Sequence, residues 1–295
     1  MTRKRLLQWQ QSDLRHLCLD VRPQQEYLLD HLRTSVNIPL DHLPKRMAEL
    51  PPKQQPFTLI THDHPDQDDA KQWLVGHGWQ PRVVFRPRHE LCFWPKAKAL
   101  GCHGTGLRPA TFLFRPHPLL QDHLGLLQDK LHNAEDPSDG GDVHVLDIGC
   151  GSGRDLTWLL NAHPTWQGTG IDALQGAQER FAWTTLPVRD RVQFLQIKIG
   201  ATLALPRRYH LVLMMRCLIR PFLSGSLPNL VRPGGLVVLS HFVDQGDYLY
   251  PRKHLRLQPK ELEQWALDFG FSLLVNRTDT TEDGRPTHSV ILAKK

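Results

Sequence analysis

What this chain has little of narrows its class before any motif is read. It carries only five cysteines in 295 residues, Cys18, Cys92, Cys102, Cys150 and Cys217, scattered and odd in number. That argues against a secreted disulfide framework and for reduced thiols in a cytosol-like compartment. No run approaches the roughly 18 apolar residues that a membrane-spanning helix needs. Charge of one sign is scarce as well: 36 Lys/Arg stand against 30 Asp/Glu, a net +6 spread along the chain. A dedicated nucleic-acid binder clusters its cations on one face or arm. The one local basic run, Thr2-Arg3-Lys4-Arg5, is too short and too poorly followed by apolar residues for a secretory signal. Internal repeats and low-complexity tracts are missing. What remains is ordinary: 40% apolar and 22% charged residues exclude wholesale disorder. The expectation is a cytoplasmic protein of about two domains, with a small-molecule partner rather than nucleic acid or membrane.

Residues 1–95 read as the first unit. Leu17 to Val21, Phe57 to Thr61 and Arg82 to Phe85 are short apolar runs, hence strands. Leu43, Met47 and Leu50 fall at helical spacing before Pro51-Pro52, and Ala70, Trp73 and Leu74 mark a helix that Gly76 and Gly78 close. Strands alternating with helices imply a parallel sheet. Residues 96–109, punctuated by Gly101, Gly104, Gly106 and Pro109, read as a linker.

Within this unit, Asp20-Val21-Arg22, Glu26-Tyr27, Asp30-His31-Leu32 and Asn37-Ile38-Pro39 resemble the rhodanese family, with Asp30 in place of the family's usual glycine. That resemblance implies a cysteine, in the loop after the next strand, that carries sulfur as a persulfide. The corresponding position is Thr61, and no cysteine occurs between Cys18 and Cys92. A hydroxyl cannot store a sulfane sulfur as a persulfide, so the domain reads as inactive in sulfur transfer. The loop itself, Thr61 to Asp69, holds two imidazoles and four carboxylates, which suits a divalent metal chemically. Acidic residues ahead of a helix also simply complement its N-terminus, and no metal site is expected.

Residues 110–295 carry the chemistry. Val143 to Ile148 is a strand that runs into Gly149-Cys150-Gly151-Ser152-Gly153, and a helix follows with Leu156, Leu159 and Leu160 on one face. Strand, glycine loop and helix let backbone amides approach a nucleotide. Thr169 to Asp172 is a second strand, and Asp172 lies 19 residues beyond Gly153, where a carboxylate can accept the hydroxyls of a ribose. The dinucleotide fingerprint needs a third glycine where this chain has Arg154, which argues against a nicotinamide oxidoreductase. Further strands are expected at Val192 to Leu195, His210 to Met214, Leu236 to Leu239 (after the turn Pro233-Gly234-Gly235), Phe271 to Val275 and Ser289 to Ala293. A helix is expected from Pro259 to Phe269.

The spacing Asp147-x-Gly149-x-Gly151-x-Gly153 resembles the class I S-adenosylmethionine-dependent methyltransferases. Phe112 to Pro116, Met215 to Pro221 and Asp283 to Pro286 are similar to that family's tellurite-resistance-like small-molecule branch. The resemblance implies an α/β fold: a Rossmann-like seven-stranded domain, its last strand antiparallel, preceded here by the smaller α/β rhodanese-like domain. It also implies S-adenosyl-L-methionine as cofactor. Asp147 then sits near the methionine end, Gly149, Cys150, Gly151 and Gly153 pass beneath the cofactor, and Asp172 holds the ribose. The family often has an acid or amide after strand three for the adenine amino group. Here the stretch is Gln196-Ile197-Lys198, and since Lys198 cannot accept a hydrogen bond the role falls to Gln196 or a backbone carbonyl.

The substrate is expected beyond strands four and five, where Arg216, Arg220 and His241 are candidate catalytic or substrate-side residues. Two guanidiniums suit an anionic substrate, and a chalcogen or thiol nucleophile is open as acceptor. Each arginine is equally open to pairing with a surface carboxylate, and His241 to a structural role. Asp244 and Tyr250 share the region, whereas Met214 and Trp265 read as core. The reading is a small-molecule methyltransferase with a degenerate rhodanese domain for docking or regulation. The alternative is a non-catalytic, nucleoside-binding or regulatory protein that retains the fold.

Overall fold

The computed structural model describes residues 2–64, 68–106, 111–132 and 142–295. The chain divides into two compact units, Met1–Arg115 and Pro116–Lys295. The first contains helices α1 (Thr2–Gln10), α2 (Gln24–Leu29), α3 (Asp69–Gly76) and α4 (Phe93–Ala99). Its strands are β1 (Cys18–Asp20), β2 (His31–Leu32), β3 (Ser35–Asn37), β4 (Phe57–Ile60), β5 (Pro81–Phe85) and β6 (His103–Gly104). A four-stranded sheet runs in the order β3-β1-β4-β5, all parallel, as the strand–helix alternation implies. Strands β2 and β6 pair separately and antiparallel.

Three expectations shift here. The boundary at residue 95 moves to Arg115. The segment expected to be a linker starts inside α4, whose Phe93 and Ala97 are buried with Leu6, Trp9, Cys18 and Phe85, and Leu113 is buried against Leu19 and Ile38. Glycine and proline mark turns, but the apolar side chains between them fill a core, and burying a large one is worth about 1.5–3 kcal/mol. The basic run at residues 2–5 opens α1, which buries Leu6 and Trp9. The helix read over Leu43 to Leu50 is instead two short 3₁₀ turns, Leu40–His42 and Met47–Glu49.

The second unit holds α5 (Pro118–Asp122), α6 (Leu124–His132), α7 (Arg154–Ala162), α8 (Ala177–Thr184), α9 (Arg220–Ser224), α10 (Leu227–Leu230) and α11 (Glu261–Asp268). Its strands are β7 (His144–Ile148), β8 (Gln167–Asp172), β9 (Val192–Gln196), β10 (Tyr209–Met215), β11 (Val231–Phe242), β12 (Phe271–Thr280) and β13 (Pro286–Lys294). They form one sheet, β12-β13-β11-β10-β7-β8-β9, in which β13 alone runs antiparallel to both its neighbours. The turn expected at Pro233-Gly234-Gly235 lies within the span of β11. There the register slips between Tyr209↔Val231 and Leu211↔Leu236, and Gly234 takes φ +73°.

The central strands read as unbroken apolar runs because both faces are covered. Val145, Leu211, Leu213 and Val238 join one core with Leu156, Leu159 and Leu160 of α7. Leu146, Ile148, Val212, Met214 and Val237 join the other with Leu262 and Trp265 of α11. The alternation is the period-two signature of a pleated strand, and it places Met214 and Trp265 in the core as expected. Strand order reverses beside β7: the chain moves from β7 through β8 to β9 on one side and returns to β10 on the other. In open α/β sheets a crevice forms at such a reversal, beyond the carboxyl ends of the strands.

Candidate cofactor site

The glycine loop occupies that crevice. Its amides at Gly149 and Cys150 both donate to Ile171 O, at 2.8 and 3.1 Å, which ties the loop to β8. Gly149, Gly151 and Gly153 take φ of +70°, +56° and +73°, the left-handed region that costs an L-residue roughly 1–2 kcal/mol. Space separates their roles. A Cβ on Gly149 would meet Cys217 Sγ at 2.6 Å, and one on Gly153 would meet Phe181 at 2.6 Å. On Gly151 it would meet no atom of the described residues within 4 Å. The outer two glycines let the loop close on its neighbours, and the middle one faces open space ahead of α7.

Two carboxylates flank the loop. Asp172, at the end of β8, accepts from Gly151 N at 2.9 Å and Leu174 N at 2.8 Å. It is 8% exposed and held at the loop, not in the apolar interior. Asp147 is 3% exposed, and no donor among the described residues reaches its carboxylate. Burial, reinforced by the charges of Asp155 and Asp172, pushes its carboxyl well above the usual range. A cation beside it would favour the ionised carboxylate. Burial with Asp147 and Asp172 nearby raises the Cys217 thiol to about 12 and raises Cys150 too, which disfavours the nucleophilic thiolate. Gln196 is exposed at the end of β9, in register with Asp172.

The three residues expected on the substrate side part company. Arg220 is committed to the fold: its guanidinium donates to Glu261 at 2.5 and 2.8 Å, to His254 O at 2.7 Å and to Arg256 O at 2.6 Å. His241 donates from Nε2 to Leu255 O at 2.9 Å. Its Nδ1 is buried with no hydrogen-bond partner among the described residues, and burial lowers its pKa. Arg216 follows β10 at φ +57°, with its amide donating to Ser240 O at 2.7 Å. No described residue bonds its guanidinium, whose pKa burial and the Arg154 charge pull down.

Sequence reasoning missed His117 and Asp155. The His117 amide donates to Asp155 Oδ1 at 2.7 Å, and His117 Nδ1 accepts from Leu119 N at 3.2 Å. Burial, ahead of the opposing pull of Asp155, lowers the His117 pKa. Its place directly after the Phe112–Pro116 stretch was the available signal.

In the first unit the motif residues have structural work. Arg22 pairs with Asp20 at 2.6 Å, both buried, and donates to Asp30 O at 2.6 Å while lying over the Trp94 ring. Asn37 Nδ2 donates to the carbonyls of Asp20 and Arg22. Asp30, in the usual glycine's place, meets His103 Nε2 at 2.8 Å. Thr61 is 1% exposed; its amide donates to Phe85 O, and its hydroxyl oxygen accepts from Asp63 N at 3.1 Å. Asp63 in turn accepts from Ala70 N at 2.9 Å, an amide in the first turn of α3. His62 faces Glu26 at 3.5 Å. Among the described residues no three His, Cys, Asp or Glu side chains gather as metal ligands; residues 65–67 of this loop lie outside them.

Residues 2–85 match the family model of the rhodanese-like domain. The match covers most of the N-terminal unit. The uncharacterized protein UNK4.09 of Schizosaccharomyces pombe is 29% identical over 335 aligned positions, covering 94% of this chain and 93% of the relative. Among solved structures, TehB from Haemophilus influenzae is similar at 16% identity and a TM-score of 0.45, over 58% of this chain and 62% of its own. Magnesium protoporphyrin IX methyltransferase from Synechocystis, solved with bound SAH, is similar at 17% identity and a TM-score of 0.43, over 61% of this chain and 89% of its own. In this chain the parallel sheet closed by an antiparallel last strand, with the glycine loop at its reversal, has the seven-stranded topology that the sequence resemblance implies. Among the described residues no helix is long and apolar enough to cross a membrane.

Proposed function

We propose that the second unit binds S-adenosyl-L-methionine and methylates a small-molecule nucleophile. The observation that carries this is Asp147: a buried carboxylate that no described donor reaches, beside a loop whose middle glycine opens onto free space. A cation satisfies that carboxylate, and a nucleoside fits the cradle. When bound, the cofactor supplies a methyl group already activated by its sulfonium charge. Asp147 would hold the cationic end and Asp172, already oriented by two amides, would accept the ribose hydroxyls. Gln196 stands beyond it for the adenine. The protein's remaining task is to align the nucleophile and exclude water. A base is needed only for an acceptor that is poorly ionised at neutral pH.

Arg216 is the substrate-side cation in this reading, because no described residue engages its guanidinium. An anionic acceptor, or a thiol or other chalcogen nucleophile carrying an anionic group, suits it. The rhodanese-like domain, with Thr61 in the cysteine position, serves docking or regulation rather than sulfur transfer.

A second reading, nucleoside binding without catalysis, is favoured by one observation: Arg220 and His241 are both committed to the fold. Mass spectrometry of a metabolite extract incubated with the enzyme and the methyl donor separates the two. A product heavier by one methylene, formed by wild type and lost in Arg216→Ala, supports methyl transfer. Cofactor binding with no methylated product supports the second reading.

A further inference from the structure

The end of the sheet remote from the glycine loop carries a second concentration of charge. Arg207 and Arg208 immediately precede β10, and Arg232 and Pro233 lie near the start of β11. These four residues line a cavity of about 390 Å³. Because β13 runs antiparallel, its last residues reach the same edge. Lys294 donates there to Pro228 O at 2.6 Å and Val231 O at 2.9 Å. Burial, with the Arg208 charge nearby, lowers the pKa of its ammonium. Among the described residues no carboxylate pairs with Arg207, Arg208 or Lys294.

Two histidines lie against the guanidiniums. The amide of His144 donates to Nδ1 of the buried His210 at 3.0 Å. Arg232 Nη1 lies against His210 Nε2, and Arg207 Nη1 lies against His144 Nε2.

We propose that this cavity binds a small phosphorylated molecule. The three guanidiniums start from different points on two adjacent strands, and a tetrahedral phosphate offers oxygens in several directions where a planar carboxylate fits one fork. A concave site lined by one sign of charge also concentrates counter-ions. The volume lies within the roughly 300–1,000 Å³ of small-ligand sites, so it admits a diphosphate with part of its substituent. The site is independent of the cofactor loop and needs no methyl transfer.

Inorganic pyrophosphate is the probe, titrated calorimetrically into the full chain at low salt. Wild type is expected to bind it. Arg207→Ala/Arg208→Ala is expected to bind at least about tenfold more weakly, a loss of about 1.4 kcal/mol. Both arginines are exposed, so the variant is expected to keep the wild-type circular-dichroism spectrum and unfolding midpoint. Arg189→Ala, an exposed arginine elsewhere on this unit, is expected to bind as wild type does. Absence of heat at millimolar pyrophosphate, or equal binding by the double variant, would overturn the proposal. A single-stranded RNA that bound more tightly than pyrophosphate, and lost affinity in the same variant, would overturn the small-ligand assignment and make this edge a nucleic-acid face.

Discussion

At Asp147 stability and binding pull in opposite directions. Burial raises its carboxyl pKa, so between the unfolded and folded values the folded chain holds a proton there that the unfolded chain has released. The stability this group contributes is fully present below the ordinary carboxylate range and is lost as pH rises through the folded-state value. Asp147→Asn is therefore expected to unfold at a higher temperature than wild type at neutral pH, with the difference vanishing in acid. The same variant is expected to bind S-adenosylmethionine at least about tenfold more weakly, since the charge that would hold a cation is gone. In wild type, binding should release a proton wherever the free protein still holds one at Asp147. Calorimetry in buffers of different ionisation enthalpy measures it, and pH-independent affinity without release would contradict the role of Asp147. The glycines separate the same way. Gly151→Ala is expected to lose cofactor binding at a folding cost of about 1–2 kcal/mol from its positive φ alone. Gly153→Ala adds an overlap with Phe181 at 2.6 Å and should destabilise more in chemical denaturation.

Elements show what was legible and what was not. The strand–loop–helix around residues 144–162 is local: its apolar run, glycine spacing and leucine face lie within a few turns of one another, and each appears where the spacing put it. Strands β2 and β6, two residues each, have no period to read and exist through pairing of His31 with Gly104 and Leu32 with His103. Arg220 was opaque for a similar reason. Its partner Glu261 is 41 residues away, and nothing in the segment Met215 to Pro221 points to it. The pair ties α9 to α11, and Arg220 is 38% exposed, so solvent screening keeps its worth small. A double-mutant cycle of Arg220→Ala and Glu261→Ala in thermal unfolding is expected to give a coupling of up to about 1 kcal/mol. Zero coupling would return Arg220 to the substrate side. In the central sheet Leu213, fully buried, is expected to cost about 2–5 kcal/mol on truncation to alanine.

Across the whole molecule the two units have separate cores, and the sequence shows both but misplaces the seam. Glycine and proline between residues 96 and 109 looked like a boundary, while the residues that decide it, Phe93, Ala97, Cys102 and Leu113, are buried by partners distant in the chain. Residues 116–295 produced alone are expected to fold and to keep the cofactor affinity of the full chain. With thiosulfate as donor, the full chain is expected to form no persulfide, because no cysteine lies between Cys18 and Cys92. The central claim is that the loop of residues 147–153 and the carboxylate of Asp172 together hold an adenosyl sulfonium. Its most direct test is calorimetric titration of S-adenosylmethionine into wild type and Asp172→Ala, with S-adenosylhomocysteine and NAD alongside. The expected result is binding of both adenosyl ligands but not NAD, weakened at least about tenfold by the substitution. Binding of NAD alone, or an affinity for S-adenosylmethionine that Asp172→Ala leaves unchanged, would contradict it.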